Sequence, residues 1–229
     1  MPAPQLHRFA LIPAAGSGRR MGHARPKQYL ELAGATLLEH AVAALLAVRK
    51  LDCVAVVVAP DDARAAGLPG LKDPRVRILP VGGATRRDTV LAGLDALDAE
   101  GDDDTWALVH DAARPGISPA LVEAMIEMLD DDPIGGLLAL PVVDTVKRVA
   151  DGRVERTEPR EAFWLAQTPQ MFRLGLLRTA LRLHPDVTDE AQAIEAMQLR
   201  ARVVPGSRRN LKVTVPEDLA LLRALWELA

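Results

Sequence analysis

The sequence has a single cysteine and no long apolar run, and each absence excludes a class of protein. One thiol cannot form an internal disulfide. Cys53, which precedes the apolar run 54–58 without a basic neighbour, is interpreted as a small buried hydrophobe. No apolar run approaches the roughly 20 residues that span a bilayer, and segment 1–8 lacks the apolar core of a signal peptide. We therefore expect a soluble cytoplasmic protein.

A large net charge is also absent. The 229 residues carry a formal net charge of −3 at pH 7, so nucleic acid and membranes are not expected partners, and any anion site must come from local clustering. With 49% hydrophobic residues, the chain can bury a sizeable core. We predict a single domain over residues 1–229, with two small domains as the alternative.

Standard phosphate-loop motifs are missing, although segment 11–28 has the composition of a phosphate site. A strand-like apolar run ends at Ile12, and a loop with Gly16, Gly18 and Gly22 follows. This spacing fits neither the dinucleotide fingerprint nor a Walker A loop. Glycines let backbone N–H groups approach a ligand, and cations can hold its anionic oxygens. The cations nearby are Arg19, Arg20, Arg25 and Lys27. The alternative is a mobile surface loop that happens to be basic.

Alternation of short apolar runs with helical patterns predicts an α/β fold. The apolar runs are 9–12, 54–59, 75–81, 106–110 and 137–141. Helix starts between them are indicated by a capping-box pattern at 36–39, by Thr85 to Asp88 and by Ser118-Pro119. Such alternation favours a doubly wound, mostly parallel sheet with helices on both faces, whose ligand binds at the carboxyl ends of the strands.

The pattern changes between residues 142 and 161. Charged, turn-rich sequence places Asp151-Gly152 between two short β-like runs, which predicts a hairpin that leaves the sheet. A lone hairpin is only marginally stable in water, so we expect this β-arm to pack on something, with a second subunit as the first candidate. Residues 164–168 follow the arm, and the later predicted elements are helices at about 174–183, from 188–190 and from 216, with a last strand near 203.

Two loops at predicted strand ends carry candidate binding groups. Gly82-Gly83, followed by a helix start, offers backbone groups and a hydroxyl to a nucleobase, although an ordinary strand-to-helix turn has the same pattern. Asp111 also follows a strand, where a carboxylate can hold Mg²⁺ or another divalent cation, and Arg114 adds positive charge. Asp111 could instead cap the next turn. We interpret His110 as a packed structural residue.

Further polar motifs lie in the second half of the chain. They are 144–148 with Arg160, then 168–170, 188–190 and 210–214. Thr and Asp before a helix are usually caps, and cations on an exposed arm are usually solvated. Lys212 differs, because it lies in a β-like run from Leu211 to Val215, where a lone cation needs an anionic partner.

Together these motifs resemble one known family. The segments PAAGSGRRM with PKQYL, GGATRRDTVLAGL, VHDAARP, DTVKR, TPQ, TDEA and NLKVTVPEDL are similar, in the same order and over almost the whole chain, to the 2-C-methyl-D-erythritol 4-phosphate cytidylyltransferases of the non-mevalonate isoprenoid pathway. The resemblance implies a Rossmann-like nucleotidyltransferase fold whose β-arm interlocks two subunits as a homodimer. It also implies transfer of CMP from CTP to methylerythritol phosphate, with pyrophosphate release and Mg²⁺.

The resemblance also implies roles for individual residues. Arg20 and Lys27 would neutralise the triphosphate and stabilise the pentacoordinate transition state, while Lys212 and Arg160, the latter from the partner subunit, would position the acceptor phosphate. Ala84 stands where some members have an acidic residue, and Thr89 keeps the hydroxyl of the more usual serine. The substrate-binding candidates, from the resemblance and the motifs together, are Ala14, Ala15, Gly16, Gly18, Gly83, Ala84, Thr89, Asp111, Ala112, Arg114, Thr145, Thr168 and Thr188.

A phosphate monoester is already anionic near neutral pH, so it needs no general base to attack the α-phosphorus. Catalysis can then come from holding two anions together and offsetting their repulsion. This explains why cations are abundant and a Ser/His/Asp set is missing. Two alternatives stay open, namely a cytidylyltransferase that accepts ribitol 5-phosphate and a nucleotide-binding regulatory domain without turnover.

Overall fold

The structure, a computed structural model, describes residues 7–16 and 26–227. Its strands are β1 (Arg8–Pro13), β2 (Glu31–Leu32), β3 (Ala35–Thr36), β4 (Cys53–Val57), β5 (Val76–Leu79), β6 (Trp106–Val109), β7 (Gly135–Pro141), β8 (Val146–Ala150), β9 (Arg153–Glu158), β10 (Trp164–Arg173) and β11 (Arg202–Pro205). Its α-helices are α1 (Leu37–Leu46), α2 (Arg86–Leu97), α3 (Pro119–Leu129), α4 (Leu174–Leu183), α5 (Glu190–Ala196) and α6 (Pro216–Glu227).

Seven strands form the main sheet in the order β11-β7-β10-β6-β1-β4-β5. Pairing is parallel between β1 and both β4 and β6, between β4 and β5, and between β7 and β11. Strand β10 runs antiparallel to both of its neighbours, β6 and β7. The sheet is therefore mostly parallel, and the predicted α/β fold class is confirmed.

Alternation along β1 sends side chains into two separate cores. Ala10 and Ile12 pack with α1 and α3 on one face, while Phe9 and Leu11 pack with α2, α4 and α5 on the other. A smaller cluster buries Leu222 of α6. Both faces of the sheet are thus covered by helices, as a buried parallel sheet requires.

Local capping signals set the helix starts. Thr36 and Thr85 each form a capping box with the acidic residue three positions later, and the Ser118 hydroxyl accepts a hydrogen bond from Leu121 N. These predicted starts are confirmed. The sheet edge at the carboxyl ends of β1, β5 and β6 is where the loops before α2 and after β6 meet.

Strands β8 and β9 form a two-stranded sheet of their own in the interval predicted to leave the fold. Asp151 and Gly152 both have positive φ, 48° and 74°, as a mirror-image two-residue hairpin turn requires. Val149 and Val154 face each other across the two strands and are more than half exposed. The hairpin therefore presents apolar side chains that its own two strands do not cover.

The β-like run predicted from Leu211 to Val215 is wrong, because the structure assigns no strand there. Val213 N bonds to Ala113 O at 2.8 Å, and the N–H groups of Thr214 and Val215 bond to a carboxylate oxygen of Asp218 at 2.7 and 2.9 Å. The Asp218 carboxylate thus accepts backbone hydrogen bonds that a neighbouring strand would accept in a sheet.

Within the part of the chain that the structure describes, no helix is long and apolar enough to cross a membrane.

Candidate active site

A cavity of about 860 Å³ opens at the carboxyl-terminal edge of the sheet. The loops after β1, β5 and β6 meet there, and the segment before α6 closes another side. Parallel α/β sheets bind their ligands at this edge. The cavity is lined by Pro13, Ala14, Ala15, Gly16, Lys27, Gln28, Gly83, Ala84, Thr85, Arg86, Thr89, Asp111, Ala112, Ala113, Lys212 and Thr214.

Gln28 fixes the backbone that follows β1. Its buried amide donates hydrogen bonds to the carbonyl oxygens of Ala14, at 2.7 Å, and Gly16, at 3.1 Å. Ala14 N donates to Val57 O of β4 at 2.7 Å. The first wall of the cavity is therefore held by a strand and by a side chain. The predicted phosphate-loop residues Gly18, Arg19, Arg20, Gly22 and Arg25 lie outside the described residues, so their roles stay predictions.

Gly82 allows the second wall to approach the first, and Gly83 leaves room for Asp88 of α2. A Cβ atom on Gly82 would lie 2.4 Å from Ala15 Cβ, and one on Gly83 would lie 2.5 Å from Asp88 Cβ. The Thr89 hydroxyl accepts from Gly83 N at 3.2 Å and donates to the carbonyl oxygen of Thr85 at 2.9 Å. Thr89 therefore holds the backbone of this wall as well as lining the cavity.

Asp111 is the charged centre of the cavity. Its Oδ1 accepts from Arg86 Nε at 3.0 Å, its Oδ2 accepts from Lys212 Nζ at 2.7 Å, and Arg114 Nε lies 3.7 Å from Oδ2. Burial alone would raise the pKa of the Asp111 carboxyl, but Arg86, Lys212 and Arg114 together hold it well below its usual range. The carboxylate therefore stays ionised near neutral pH. The anionic partner predicted for Lys212 is Asp111.

Lys27 and Lys212 line the same cavity. Lys27 Nζ donates to Val213 O at 3.4 Å, so it contacts the peptide that follows Lys212. The two lysines come from segments far apart in sequence, one after β1 and the other before α6. The fold thus brings together two of the cations predicted to serve the two phosphate groups.

His110, Arg114 and Thr168 lie behind the cavity wall. The His110 ring nitrogens bond to Thr168 Oγ1 and to Arg114 O, both at 3.1 Å, and Thr168 Oγ1 accepts from Asp111 N at 3.0 Å. Burial lowers the pKa of His110 to about 4, which fits the interpretation of His110 as a packed neutral residue. Arg114 donates to Asn210 O at 2.8 Å. The substrate contacts predicted for Arg114 and Thr168 stay predictions, since neither residue lines the cavity.

Arg160, Thr145 and Thr188 also lie outside the cavity lining. Arg160 follows β9, is exposed, and donates to Val143 O near the base of the hairpin. Thr145 is exposed just before β8. The exposed Thr188 donates from its hydroxyl to Gln192 Oε1 at 3.0 Å. Within this single chain these three residues do not line the cavity that Lys212 lines, so their predicted contact with the acceptor stays a prediction.

Glu190 and Gln28 are contributors to the site that sequence reasoning missed. Residues 188–190 have the pattern of a helix start, and Asp189 does cap α5 by accepting from Gln192 N at 2.9 Å. Glu190, however, is fully buried and binds Arg86. An acidic first turn is common in exposed helices, so nothing local to the sequence distinguishes a buried partner for a distant arginine.

Comparisons with known proteins place the chain in one family. Residues 9–227 match the model of the family described as 2-C-methyl-D-erythritol 4-phosphate cytidylyltransferase (IspD). The curated protein of that name from Laribacter hongkongensis is 54% identical over 220 residues, which cover 95% of each chain. Its counterpart from Paraburkholderia phytofirmans is 51% identical over 228 residues, which cover 95% of this chain and 94% of the relative.

Solved structures give the same assignment. A crystal structure of a 4-diphosphocytidyl-2C-methyl-D-erythritol synthase matches with a TM-score of 0.86 and 38% identity, over 98% of this chain and 100% of that one. The 2-C-methyl-D-erythritol 4-phosphate cytidylyltransferase of Francisella tularensis matches with a TM-score of 0.80 and 33% identity, over 96% of this chain and 99% of that one. The chain therefore belongs to the 2-C-methyl-D-erythritol 4-phosphate cytidylyltransferase family.

Proposed function

We propose that the protein transfers CMP from CTP to 2-C-methyl-D-erythritol 4-phosphate. An oxygen of the acceptor phosphate attacks the α-phosphorus of CTP, and the bond from that phosphorus to the bridging oxygen breaks. Pyrophosphate leaves with the electron pair, and 4-diphosphocytidyl-2-C-methyl-D-erythritol is formed. The observation that carries this proposal is the convergence of Lys27, Lys212 and Asp111 on one cavity with walls of small residues.

The small residues support a nucleotide base beside the charged centre. Ala14, Ala15, Gly83 and Ala84 place backbone groups at the cavity surface without bulky side chains in front of them. Backbone N–H and C=O groups can recognise the edge of a pyrimidine ring, and a narrow recess favours a pyrimidine over a purine. We assign the cytosine of CTP to this part of the cavity.

The lysines support a reaction between two anions. Both reactants carry negative phosphate groups, and their approach is repulsive unless fixed cations offset the charge. Lys27 is placed to meet the triphosphate and Lys212 to meet the acceptor phosphate, with Arg20 as a third cation on the grounds of the family resemblance. Because Asp111 holds Lys212 at 2.7 Å, that ammonium group is positioned before substrate arrives.

Asp111 also fits a Mg²⁺ ion that arrives with the triphosphate. Within residues 7–16 and 26–227, no group of three or more His, Cys, Asp or Glu side chains could hold a metal by itself. Mg²⁺ commonly takes one or two carboxylates, with substrate phosphates and water as its remaining ligands. Asp111 offers one carboxylate, although both oxygens are bonded to Arg86 and Lys212. When bound, the metal would neutralise charge on the phosphates.

We further propose a homodimer assembled through the β8–β9 hairpin, with Arg160 contributed to the partner's cavity. Val149 and Val154 on the hairpin, and Trp164 and Leu165 just after it, are all exposed apolar residues that a second subunit would cover. Arg160 lies at the base of the hairpin, so an interface there would bring its guanidinium near another chain. The cytoplasmic location predicted from the sequence also remains a proposal.

Pyrophosphate release tests the proposed reaction. The protein is incubated with CTP and Mg²⁺, together with either methylerythritol phosphate or ribitol 5-phosphate. We expect release with methylerythritol phosphate and at least about a hundredfold lower kcat/KM with ribitol 5-phosphate, since acceptor contacts set specificity. A preference for ribitol 5-phosphate would contradict the proposed acceptor. CTP binding without release in either mixture would instead support a regulatory domain.

A further inference from the structure

Glu190 is a fully buried carboxylate that lies beside the cavity without lining it. It is the first residue of α5, and its two oxygens accept hydrogen bonds from Arg86 Nη1 at 2.7 Å and Nη2 at 3.0 Å. A bidentate pair of this kind fixes the plane of the guanidinium as well as its position. The orientation of Arg86 is therefore set from outside the cavity.

Because Arg86 is held in one orientation, its hydrogen bond also fixes the orientation of Asp111. Glu190 accepts from both terminal nitrogens of Arg86, and the Nε of Arg86 donates to Asp111 Oδ1 at 3.0 Å. The other oxygen of Asp111 holds Lys212. The four side chains thus form one continuous charged chain from α5, through the first residue of α2 and the loop after β6, to the segment before α6. Its last three members line the cavity.

The support of Glu190 is itself rigid. Gln170 of β10 accepts from Ala191 N at 2.7 Å through Oε1 and donates from Nε2 to Asp189 Oδ2 at 3.0 Å. These bonds tie the residues on either side of Glu190 to the central sheet. The carboxylate is therefore held by its backbone on one side and by Arg86 on the other.

We propose that Glu190 is a positioning residue for cytidylyl transfer, which clamps Arg86 so that Asp111 and Lys212 face the reacting phosphates in a fixed arrangement. The proposal rests on the function proposed above. Glu190 also has a second effect. Because its carboxylate holds and neutralises the Arg86 guanidinium, Arg86 cannot bind the triphosphate in an unproductive position. Loss of the clamp should lower kcat without weakening CTP binding.

The test compares Glu190→Gln with wild type under conditions in which thermal melting shows both to be folded. We expect kcat to fall by at least about tenfold, because Asp111 loses its fixed orientation. The KM for CTP should stay the same or fall, because the positive charge of Arg86 is no longer balanced by Glu190 and can attract the triphosphate. Glu190→Asp, which keeps the carboxylate, should have an intermediate kcat. The matched control is Asp95→Asn, which removes a carboxylate from two arginines at a distance from the cavity. This control should keep its kcat within about twofold.

A double variant separates positioning from simple charge neutralisation and also serves if Glu190→Gln does not fold. Arg86→Gln combined with Glu190→Gln leaves no buried unpaired cation, so a structural role for Glu190 predicts recovery of both folding and kcat. The positioning role predicts that kcat stays low, since Asp111 still lacks its partner. Recovery of kcat, or a folded Glu190→Gln protein with kcat within twofold of wild type, would overturn the proposal. If wild type itself released no pyrophosphate, the proposed function and this role would both fall.

Discussion

At the scale of single residues, the cavity combines lysines that can meet the substrate phosphates with a carboxylate that positions one of these lysines. Lys212 is paired with Asp111, and Lys27 contacts the backbone of the same segment. Neither lysine is part of a hydrophobic core, so their removal should affect catalysis more than folding. His110 and Thr168 behind them differ, since both are buried, bond to each other and do not line the cavity.

Replacement of Lys27 by methionine tests the role of the cavity cations. Lys27→Met should fold with a melting temperature close to that of wild type and lose about a hundredfold to a thousandfold in kcat, because it removes charge that stabilises the transition state. Lys50→Met is the matched control, since Lys50 is a surface lysine 3.5 Å from Glu127. A loss below about tenfold in a folded Lys27→Met protein would remove Lys27 from the catalytic set.

His110 should make the stability of the protein depend on pH. Its pKa is about 4 in the folded state and 6.5 in an unperturbed histidine, so the unfolded chain binds the proton first as the pH falls. The free energy of unfolding should therefore drop by about 2 kcal/mol from pH of about 7.5 to about 5, and further as the pH approaches 4. Urea titrations at the two pH values measure this drop, which should be smaller by that amount in His110→Gln. Equal drops in the two proteins would show that His110 is not the group responsible.

At the scale of elements, the helices were predictable because their start signals are local. The strand order was not, because it depends on pairing between distant segments. Thr36, Thr85 and Ser118 cap helix starts through hydrogen bonds within a few residues. The Asp151-Gly152 turn likewise marks the hairpin by local sequence alone. The insertion of antiparallel β10 between β6 and β7 depends on contacts between distant segments. Those contacts leave no local pattern.

The residues of the candidate site also fall into two groups, those that local motifs indicate and those that depend on distant contacts. Motifs at strand ends pointed to Asp111 and to the glycine walls, because ligand position in a parallel α/β sheet follows from topology. Glu190 was not predictable as a site residue, because its partner Arg86 is distant in the sequence and its burial is decided by the packing of α5. The strand predicted around Lys212 failed because a carboxylate of Asp218 takes up the backbone donors that a strand would use.

Close approach of the two backbone walls gives a prediction about Gly82. The added Cβ of Gly82→Ala would lie 2.4 Å from Ala15 Cβ and 2.7 Å from Val58 O, so the walls must separate. We expect a loss of about 1–3 kcal/mol in stability and at least about tenfold weaker CTP binding by calorimetry. Gly67→Ala is the control, since nothing lies within 4 Å of its added Cβ. CTP affinity equal in the two variants would mean that the walls do not shape the nucleotide site.

At the scale of the whole molecule, the cavity is lined by only some of the predicted site residues that the structure describes. Lys27, Asp111 and Lys212 line it, whereas Arg160 lies at the base of an exposed hairpin. A second subunit packed on that hairpin would cover its exposed valines and bring Arg160 to the neighbouring cavity. The proposed dimer therefore links assembly to catalysis.

Mixed dimers test this link. Arg160→Ala and Lys27→Met should each be nearly inactive alone. If Arg160 serves the partner's cavity, a mixed dimer has one intact site and one doubly defective site. Random exchange makes half of the dimers mixed, so activity should recover to about a quarter of wild type. No recovery after exchange verified by mass spectrometry would place Arg160 in the cavity of its own subunit.

The fate of the phosphorus atoms of CTP shows whether the protein transfers a cytidylyl group. The protein is incubated with methylerythritol phosphate, Mg²⁺ and CTP labelled with radioactive phosphorus at either the α or the γ position. Cytidylyl transfer predicts that the α label appears in the diphosphate product and that the γ label appears only in pyrophosphate. Transfer of the γ label to the sugar phosphate, or retention of both labels in CTP, would contradict cytidylyl transfer.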